Sequence, residues 1–174
     1  ATADGFGYRI VYVDPALIFA AVQALRGTGA LPFARQPVLA SPTLSAAIHI
    51  AFAGVNEPLA RDSLVQQLAE GLLAAAPGYS HVPVHLDLGA LERVRQFLSA
   101  EHARVVHSRE LEALSGLSRY ELARQFRRRY GTSPYRFLLM RRLDAARQRI
   151  AAGTPLVEVA LDAGFADQAH LTRM

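Results

Sequence analysis

The second half of the chain contains one sequence pattern twice. Each copy has a short amphipathic segment, a glycine, and a second segment that carries L-x-R. The first copy spans residues 110–126 around Gly116, and the second spans residues 158–174 around Gly164. In a helix-turn-helix, a short turn that often contains glycine sets the second helix across the first. The repeat therefore predicts two helix-turn-helix units joined by one helix.

Helical spacing of apolar residues supports this prediction. Leu122 and Phe126 lie four residues apart, which places both on the inner face of the second helix of the first unit. Ser118 and Glu121 form the S-x-x-E pattern of a capping box at the start of that helix. A linking helix is predicted over residues 134–152. Its predicted core-facing residues are Phe137, Leu138, Leu143, Ala146 and Ile150.

A capping side chain directly precedes a proline at four positions. The residue before proline is held in an extended conformation, as an N-cap requires, and proline at the first helical position lacks only an amide that has no partner there. The four pairs are Asp14-Pro15, Ser41-Pro42, Ser133-Pro134 and Thr154-Pro155. Together with Pro58 they predict helices over residues 14–25, 41–53 and 58–76 in the first half, and Ser108 is predicted to cap a helix in the second half.

The second and third of these helices carry apolar residues at helical spacing, and their short connection predicts an antiparallel pair. One interpretation is a core within the chain, and the other is a surface for dimerisation through Leu64, Leu68 and Leu72. Residues 8–13 (Y-R-I-V-Y-V) predict one strand, whose partner is expected either upstream of residue 1 or near residues 37–39.

Composition excludes several classes of protein. The chain has no cysteine, which rules out disulfides, cysteine-bound zinc and thiol catalysis. No apolar run is long enough to cross a membrane, and a cytoplasmic protein is expected. No Ser/His/Asp or paired-carboxylate grouping is visible, so no catalytic residue and no cofactor is predicted. His81 and His85 flank Pro83, which favours an extended segment that separates the two rings, and no metal site is predicted.

Charge is distributed unevenly between the two halves. Residues 1–89 contain four Arg and six acidic residues, whereas residues 90–174 contain fifteen Arg and nine acidic residues. The basic half is suited to a polyanion, although a solvated arginine-rich surface has the same composition.

The repeated motif carries side chains of the types that contact DNA. One α-helix fits the major groove of B-DNA, where outward side chains contact base edges and flanking cations contact phosphates. The predicted base-reading residues are Tyr120, Ala123 and Arg124 in the first unit and Gln168, Ala169, Thr172 and Arg173 in the second. The predicted phosphate contacts are Ser118, Arg119, Arg127 and Arg128.

These motifs resemble the DNA-binding domain of the AraC/XylS family of bacterial transcription regulators. The matching stretches are G-L-S-R-Y-x-L-x-R-x-F (116–126), G-T-S-P-Y-R-F-L (131–138), R-L-D-A-A-R (142–147) and A-G-F-A-D-Q-A-H-L-T-R (163–173). The resemblance implies seven helices, with both recognition helices in successive major-groove segments of promoter DNA about 34 Å apart. It also implies transcription regulation, including activators, with RNA polymerase as a possible partner.

The first half resembles the family's effector-binding domain more loosely, through G-F-G-Y-R-I-V-Y-V-D-P (5–15). This implies a cupin-like sensor barrel upstream, an unidentified small-molecule effector and a homodimer. The resemblance also implies that the sequence is truncated at both ends, with the second unit incomplete. The expected fold is thus mainly α: residues 1–77 are the end of a sensor and dimerisation domain, 78–89 a linker, and 90–174 a tandem helix-turn-helix domain.

Two other functions remain open at this point. The chain is alternatively a dimerisation or interaction module without DNA readout, although Arg124, Arg173 and both turn glycines argue against this. A DNA-binding unit fused to a repair alkyl transferase is disfavoured, because that chemistry needs an acceptor cysteine.

Overall fold

The computed structural model describes residues 8, 10–27, 31–32, 38–52, 57–76 and 83–174. These residues form nine α-helices with turns and irregular segments between them. The helices are α1 Pro15–Arg26, α2 Pro42–Phe52, α3 Pro58–Ala75, α4 Leu88–Ala100, α5 Ser108–Ser115, α6 Arg119–Tyr130, α7 Pro134–Ala151, α8 Leu156–Asp162 and α9 Gln168–Arg173. The expectation of a mainly α protein is confirmed for the described part of the chain. None of the helices described is long and apolar enough to span a membrane.

Polar side chains cap three of the four helices predicted to start at proline. The Asp14 carboxylate accepts a hydrogen bond from the backbone amide two residues later, at 2.8 Å. The Ser41 and Ser133 hydroxyls each accept one from the amide three residues later, at 3.3 and 3.2 Å. Thr154 is not an N-cap, so that prediction is wrong. Pro155 itself is extended (ψ 139°) and α8 begins only after it.

The start of α5 also differs from the prediction. The N-cap is His107, and Ser108 is already the first helical residue. The Glu110 carboxylate accepts from the His107 backbone amide at 2.8 Å, and this fixes the helix start one residue earlier. The Ser108 hydroxyl is left to donate to the carboxylate of Asp62 in α3.

The strand predicted over residues 8–13 is wrong for the residues that the structure describes there. Residues 10–13 and residue 8 are irregular, and the Tyr12 side chain is 89% exposed. Residues 38–39, the candidate partner, are irregular as well. A strand needs a neighbour to pair its backbone groups, and the described residues supply none. The relation to a cupin-like barrel stays a prediction.

The first half packs around α3, which contacts both α1 and α2. The closest approach is at Gly71, where an added Cβ atom would lie 2.7 Å from the Leu44 side chain. Leu68 is buried in this cluster, and Leu64 and Leu72 are partly buried against it. The three leucines thus lie in an intramolecular core, one of the two interpretations that the sequence left open. Dimerisation through them stays a prediction.

The second half has two cores. The larger one is formed by α4, α5, α6 and α7, joined by Leu59 of α3, and the smaller one lies between α7 and α8. Leu138, Arg142 and Ala146 occupy the buried face of α7. Ile150 lies in the last turn of α7 and is 45% exposed, so the prediction that it faces the core is wrong.

Arg142 is fully buried and joins the two halves of the chain. Its Nη1 atom donates to the Glu57 carboxylate at 2.6 Å. Its Nε and Nη2 atoms donate to the backbone carbonyls of His102 and Arg104 at 2.8 and 2.9 Å. The guanidinium therefore connects the start of α3 to the turn between α4 and α5. Buried charges are tolerated when they are paired in this way.

Candidate nucleic-acid interface

The first helix-turn-helix unit consists of α5, a turn at Gly116, and α6. Gly116 ends α5 in the left-handed conformation (φ 74°), which a glycine adopts without a steric penalty. Leu122 and Phe126 are buried in the larger core, as the helical spacing predicted. The Ser118 hydroxyl accepts from the Glu121 amide at 3.4 Å, so Ser118 is the N-cap of α6.

Only half of the predicted capping box is present in α6. The Glu121 side chain does not return to the backbone of Ser118. It pairs with Arg124 at 2.8 Å and accepts from the Gln125 amide group at 2.9 Å. The arginine one turn later is a stronger partner for the carboxylate than a neutral amide, because charge-assisted hydrogen bonds are shorter and stronger.

The predicted reading face of α6 is covered by the first half of the chain. The side chains on this face were expected to point outward. Instead Tyr120 is 4% exposed and Ala123 is 9% exposed. Tyr120 belongs to the core cluster of α1 and α3, and helix α1 packs directly on α6. The assignment of Tyr120, Ala123 and Arg124 to base contacts stays a prediction, but in this conformation their face is closed.

Two of the predicted phosphate contacts on α6 already have acidic partners. Arg127 pairs with Glu70 of α3 at 2.5 Å. Arg119 pairs with Asp62 of α3 and with Glu112 of α5, both at 3.3 Å.

Arg124 is held from two sides. Besides Glu121, it donates to the backbone carbonyl of Leu25, at the end of α1, at 3.3 Å. The side chain of Arg124 is 16% exposed. The remaining predicted phosphate contact on α6, Arg128, is exposed.

Burial changes the chemistry of Tyr120. Desolvation, and to a smaller extent the negative charge of Asp62, raise the pKa of Tyr120 from 10.0 to about 12. The raised pKa extends the range in which the phenol is neutral and keeps its O–H as a donor to higher pH than for an exposed tyrosine.

In the second unit, the predicted reading side chains are exposed rather than covered. Gln168, Ala169, Thr172 and Arg173 are all exposed on α9. Helix α9 is capped by Asp167, whose carboxylate accepts from the backbone amide three residues later at 2.6 Å. The Thr172 hydroxyl donates to the carbonyl of Gln168 at 2.9 Å. The predicted reading face of the second unit is thus open to solvent.

Gly164, the turn glycine of the second unit, also allows a close approach to another turn of the chain. Gly164 has a φ of 87°, and a Cβ atom there would lie 2.8 Å from the carbonyl carbon and oxygen of Ala103 and from the carbonyl oxygen of His102. The turn of the second unit therefore packs backbone against backbone on the turn between α4 and α5.

Sequence reasoning missed the partners that close the first unit. Asp62 and Glu70 lie on the polar face of α3, and nothing local marks them as partners of α6. Arg142 carried a usable signal, because it stands four residues after Leu138 and four before Ala146 in the buried stripe of α7.

The prediction about metal binding concerned His81 and His85. Among the described residues, no group of three or more His, Asp or Glu side chains is placed to hold a metal ion. His81, one of the two histidines considered above, lies outside the described residues, and His85 is exposed.

Comparison with known proteins identifies a helix-turn-helix domain. Residues 111–174 match a protein family described as "Helix-turn-helix domain". This match begins inside α5, at Leu111, and covers the rest of the first unit, the linking helix α7, and the second unit.

The chain is also similar along most of its length to a bacterial protein. It is 30% identical over 170 residues to YbfI of Bacillus subtilis (strain 168), described as an uncharacterized HTH-type transcriptional regulator. The aligned region covers 94% of this chain and 61% of the relative. The chain thus spans about 61% of the length of that protein. No solved structure matches the chain.

Proposed function

We propose that this chain is part of a transcription regulator of the AraC/XylS type that binds double-stranded promoter DNA. The observation that carries the proposal is the tandem arrangement of two helix-turn-helix units on one linking helix, with a match to a helix-turn-helix family over residues 111–174. The similarity to an HTH-type transcriptional regulator supports it. The fifteen arginines of residues 90–174 supply the positive charge that a polyanion requires.

In this proposal α6 and α9 are the recognition helices. Tyr120, Ala123 and Arg124 contact bases from α6, and the exposed face of α9 does so through Gln168, Ala169, Thr172 and Arg173. Arginine suits guanine and glutamine suits adenine, because each can form two hydrogen bonds with that base. Ser118, Arg119, Arg127 and Arg128 contact phosphates.

The remaining parts of the proposal follow from the resemblance to the family. Residues 1–77 belong to a sensor and dimerisation domain, 78–89 are a linker, and 90–174 form the DNA-binding domain. The regulator acts as a cytoplasmic homodimer, responds to a small-molecule effector, and acts on transcription through RNA polymerase. No catalytic role is proposed.

DNA binding is tested on the open face of α9. Fluorescein-labelled duplexes are selected from a random pool by binding to the chain, and their affinity is measured by anisotropy between 50 and 200 mM salt. Each phosphate contact releases counterions, so the affinity for DNA should fall steeply with salt. Arg173→Ala should cost about 1–3 kcal/mol on the selected duplexes and relax the preference at one base pair.

Arg147→Ala is the matched control, because Arg147 is an exposed arginine of α7 that is not on a reading face. It should weaken selected and random DNA alike, and only slightly. Absence of binding at 50 mM salt would refute the proposed function. Equal losses on selected and random DNA for Arg173→Ala would assign that side chain to a phosphate.

A further inference from the structure

We infer that the first half of the chain competes with DNA for the reading face of α6, so that the structure is a closed state of the first helix-turn-helix unit. The inference rests on the proposed function, because it takes α6 to be a DNA-reading helix. It concerns a contact within the chain, between α6 on one side and α1 and α3 on the other. The occupant of the face is therefore known.

The apolar part of the reading face is buried by α1 and α3. Tyr120 packs in one cluster with Ile18 and Val22 of α1 and with Leu68 of α3. A helix reads the major groove through its outward side chains, and the groove is just wide enough for one helix. Helix α1 and a DNA duplex cannot occupy this face at the same time.

The charged part of the face is neutralised by groups that resemble a DNA backbone. The carboxylates of Asp62 and Glu70 bind Arg119 and Arg127, the side chains expected to contact phosphates. The Leu25 carbonyl, an acceptor like the edge of a guanine, binds Arg124. Each of these three arginines thus has an oxygen acceptor from the first half of the chain.

Not every polar group in the closed contact has a hydrogen-bond partner, and this favours opening of the contact. Within the described residues, the Tyr120 hydroxyl and the Nε atom of Arg124 are buried without a hydrogen-bond partner. A buried polar group without a partner is costly, and release of α1 would return both groups to water or to DNA. An open cleft of about 580 Å³ beside them is lined by residues of α1, α5 and α6, among them Gln23, Gly27 and Glu112. Opening the contact removes both of these costs, and this favours its displacement by DNA.

The two units differ in this respect. The predicted reading side chains of α9 are exposed, whereas those of α6 are covered. A chain in the closed state engages DNA through one unit, and opening adds the second. The first half thereby sets how many recognition helices are available.

The test removes the two competing carboxylates from the full chain. The variant is Asp62→Asn with Glu70→Gln, and the probe is a pool of fluorescein-labelled duplexes with 30 randomised base pairs. The affinity of this variant for the pool should rise about 3- to 30-fold over that of the wild type, because the closed state loses two charge pairs. The control is Asp144→Asn with Glu101→Gln, which changes the charge equally and removes one acidic partner each from Arg141 and Arg104, while Arg104 keeps its pair with Glu110. The affinity of the control variant for the pool should differ from that of the wild type by less than twofold.

A second measurement needs no substitution. Hydrogen exchange of the wild-type chain is followed by mass spectrometry with and without saturating DNA from the same pool. If DNA displaces α1, residues 15–26 exchange faster in the complex while α6 remains protected. This readout also covers the case in which the double variant unfolds.

Each outcome supports or overturns the inference. Tighter binding of the double variant than of its control, or faster exchange in α1 on DNA, supports it. Equal affinities of the folded variant and control, with α1 as protected on DNA as without it, overturn it and leave the proposed function standing. Failure of wild type and both variants to bind the pool at 50 mM salt overturns the proposed function and the inference together.

Discussion

Replacing Arg142 by alanine removes a side chain that connects α3, α7 and the turn after α4. The guanidinium is fully buried and makes three hydrogen bonds of 2.6 to 2.9 Å, to Glu57, His102 and Arg104. Alanine at this position leaves the Glu57 carboxylate, which is 14% exposed, and two carbonyl oxygens without their donor. The substitution also opens a cavity in the face of α7 between Leu138 and Ala146.

The size of the effect follows from these three acceptors. An orphaned buried acceptor costs about 1–3 kcal/mol, and removal of one partner from a buried ion pair costs about 3–5 kcal/mol. These ranges describe overlapping losses, so they do not add. We expect Arg142→Ala to lower the free energy of unfolding by about 3–5 kcal/mol, a large share of the roughly 5–15 kcal/mol typical of a folded domain.

Urea unfolding followed by circular dichroism at 222 nm measures this difference. Arg141→Ala is the control, because the neighbouring Arg141 is partly exposed and pairs with Asp144 within α7. An exposed pair of this kind contributes about 0–1 kcal/mol. A loss below about 1 kcal/mol for Arg142→Ala, or equal losses for both variants, would contradict the role assigned to the buried guanidinium.

The other predictions concern turns and titration. Gly116→Ala should lower the free energy of unfolding by about 1 kcal/mol, because its φ of 74° is strained for alanine but its surroundings are open. Gly164→Ala should lower it clearly more, because its Cβ atom meets the Ala103 backbone at 2.8 Å. Equal losses in urea unfolding would exclude a role for the close approach. The raised pKa of Tyr120 favours the protonated phenol in the folded chain, so its contribution to stability is complete below pH 10 and is lost between pH 10 and about 12. A titration at 295 nm should show that Tyr120→Phe removes a step near pH 12, and loss of a step near pH 10 instead would show that the hydroxyl is solvated.

Local signals in the sequence predicted the helices well. A helix start depends on a few neighbouring residues, so Asp14 before Pro15 and Ser133 before Pro134 could be identified without knowledge of the fold. The same reasoning failed at Thr154, where the helix begins one residue later than the pattern suggested. It also failed for the strand at residues 8–13, because strand formation depends on a partner that sequence periodicity does not supply.

The closed face of α6 could not be predicted in the same way. Helical periodicity correctly separated Leu122 and Phe126 from the arginine face, but it treated that face as solvent-exposed. What covers it is set by contacts more than fifty residues apart in sequence, such as Glu70 with Arg127. Ion pairs at that separation have no fixed spacing. The arginine face was predicted to be exposed because helical periodicity takes account of α6 alone.

Under the proposed function, the turn between α4 and α5 would affect the shape of the bound DNA. It accepts two hydrogen bonds from Arg142, and it also meets the Gly164 backbone so closely that no side chain fits there. A backbone contact this close restricts the angle between the two helix-turn-helix units. When both recognition helices bind one duplex, the orientation of the two units can differ from that of the two groove segments they contact. The DNA then has to bend to compensate for this difference, which costs about 1–6 kcal/mol for a bend of 40–90°. Flexible steps between the two contacted segments would therefore favour a site although no side chain touches them.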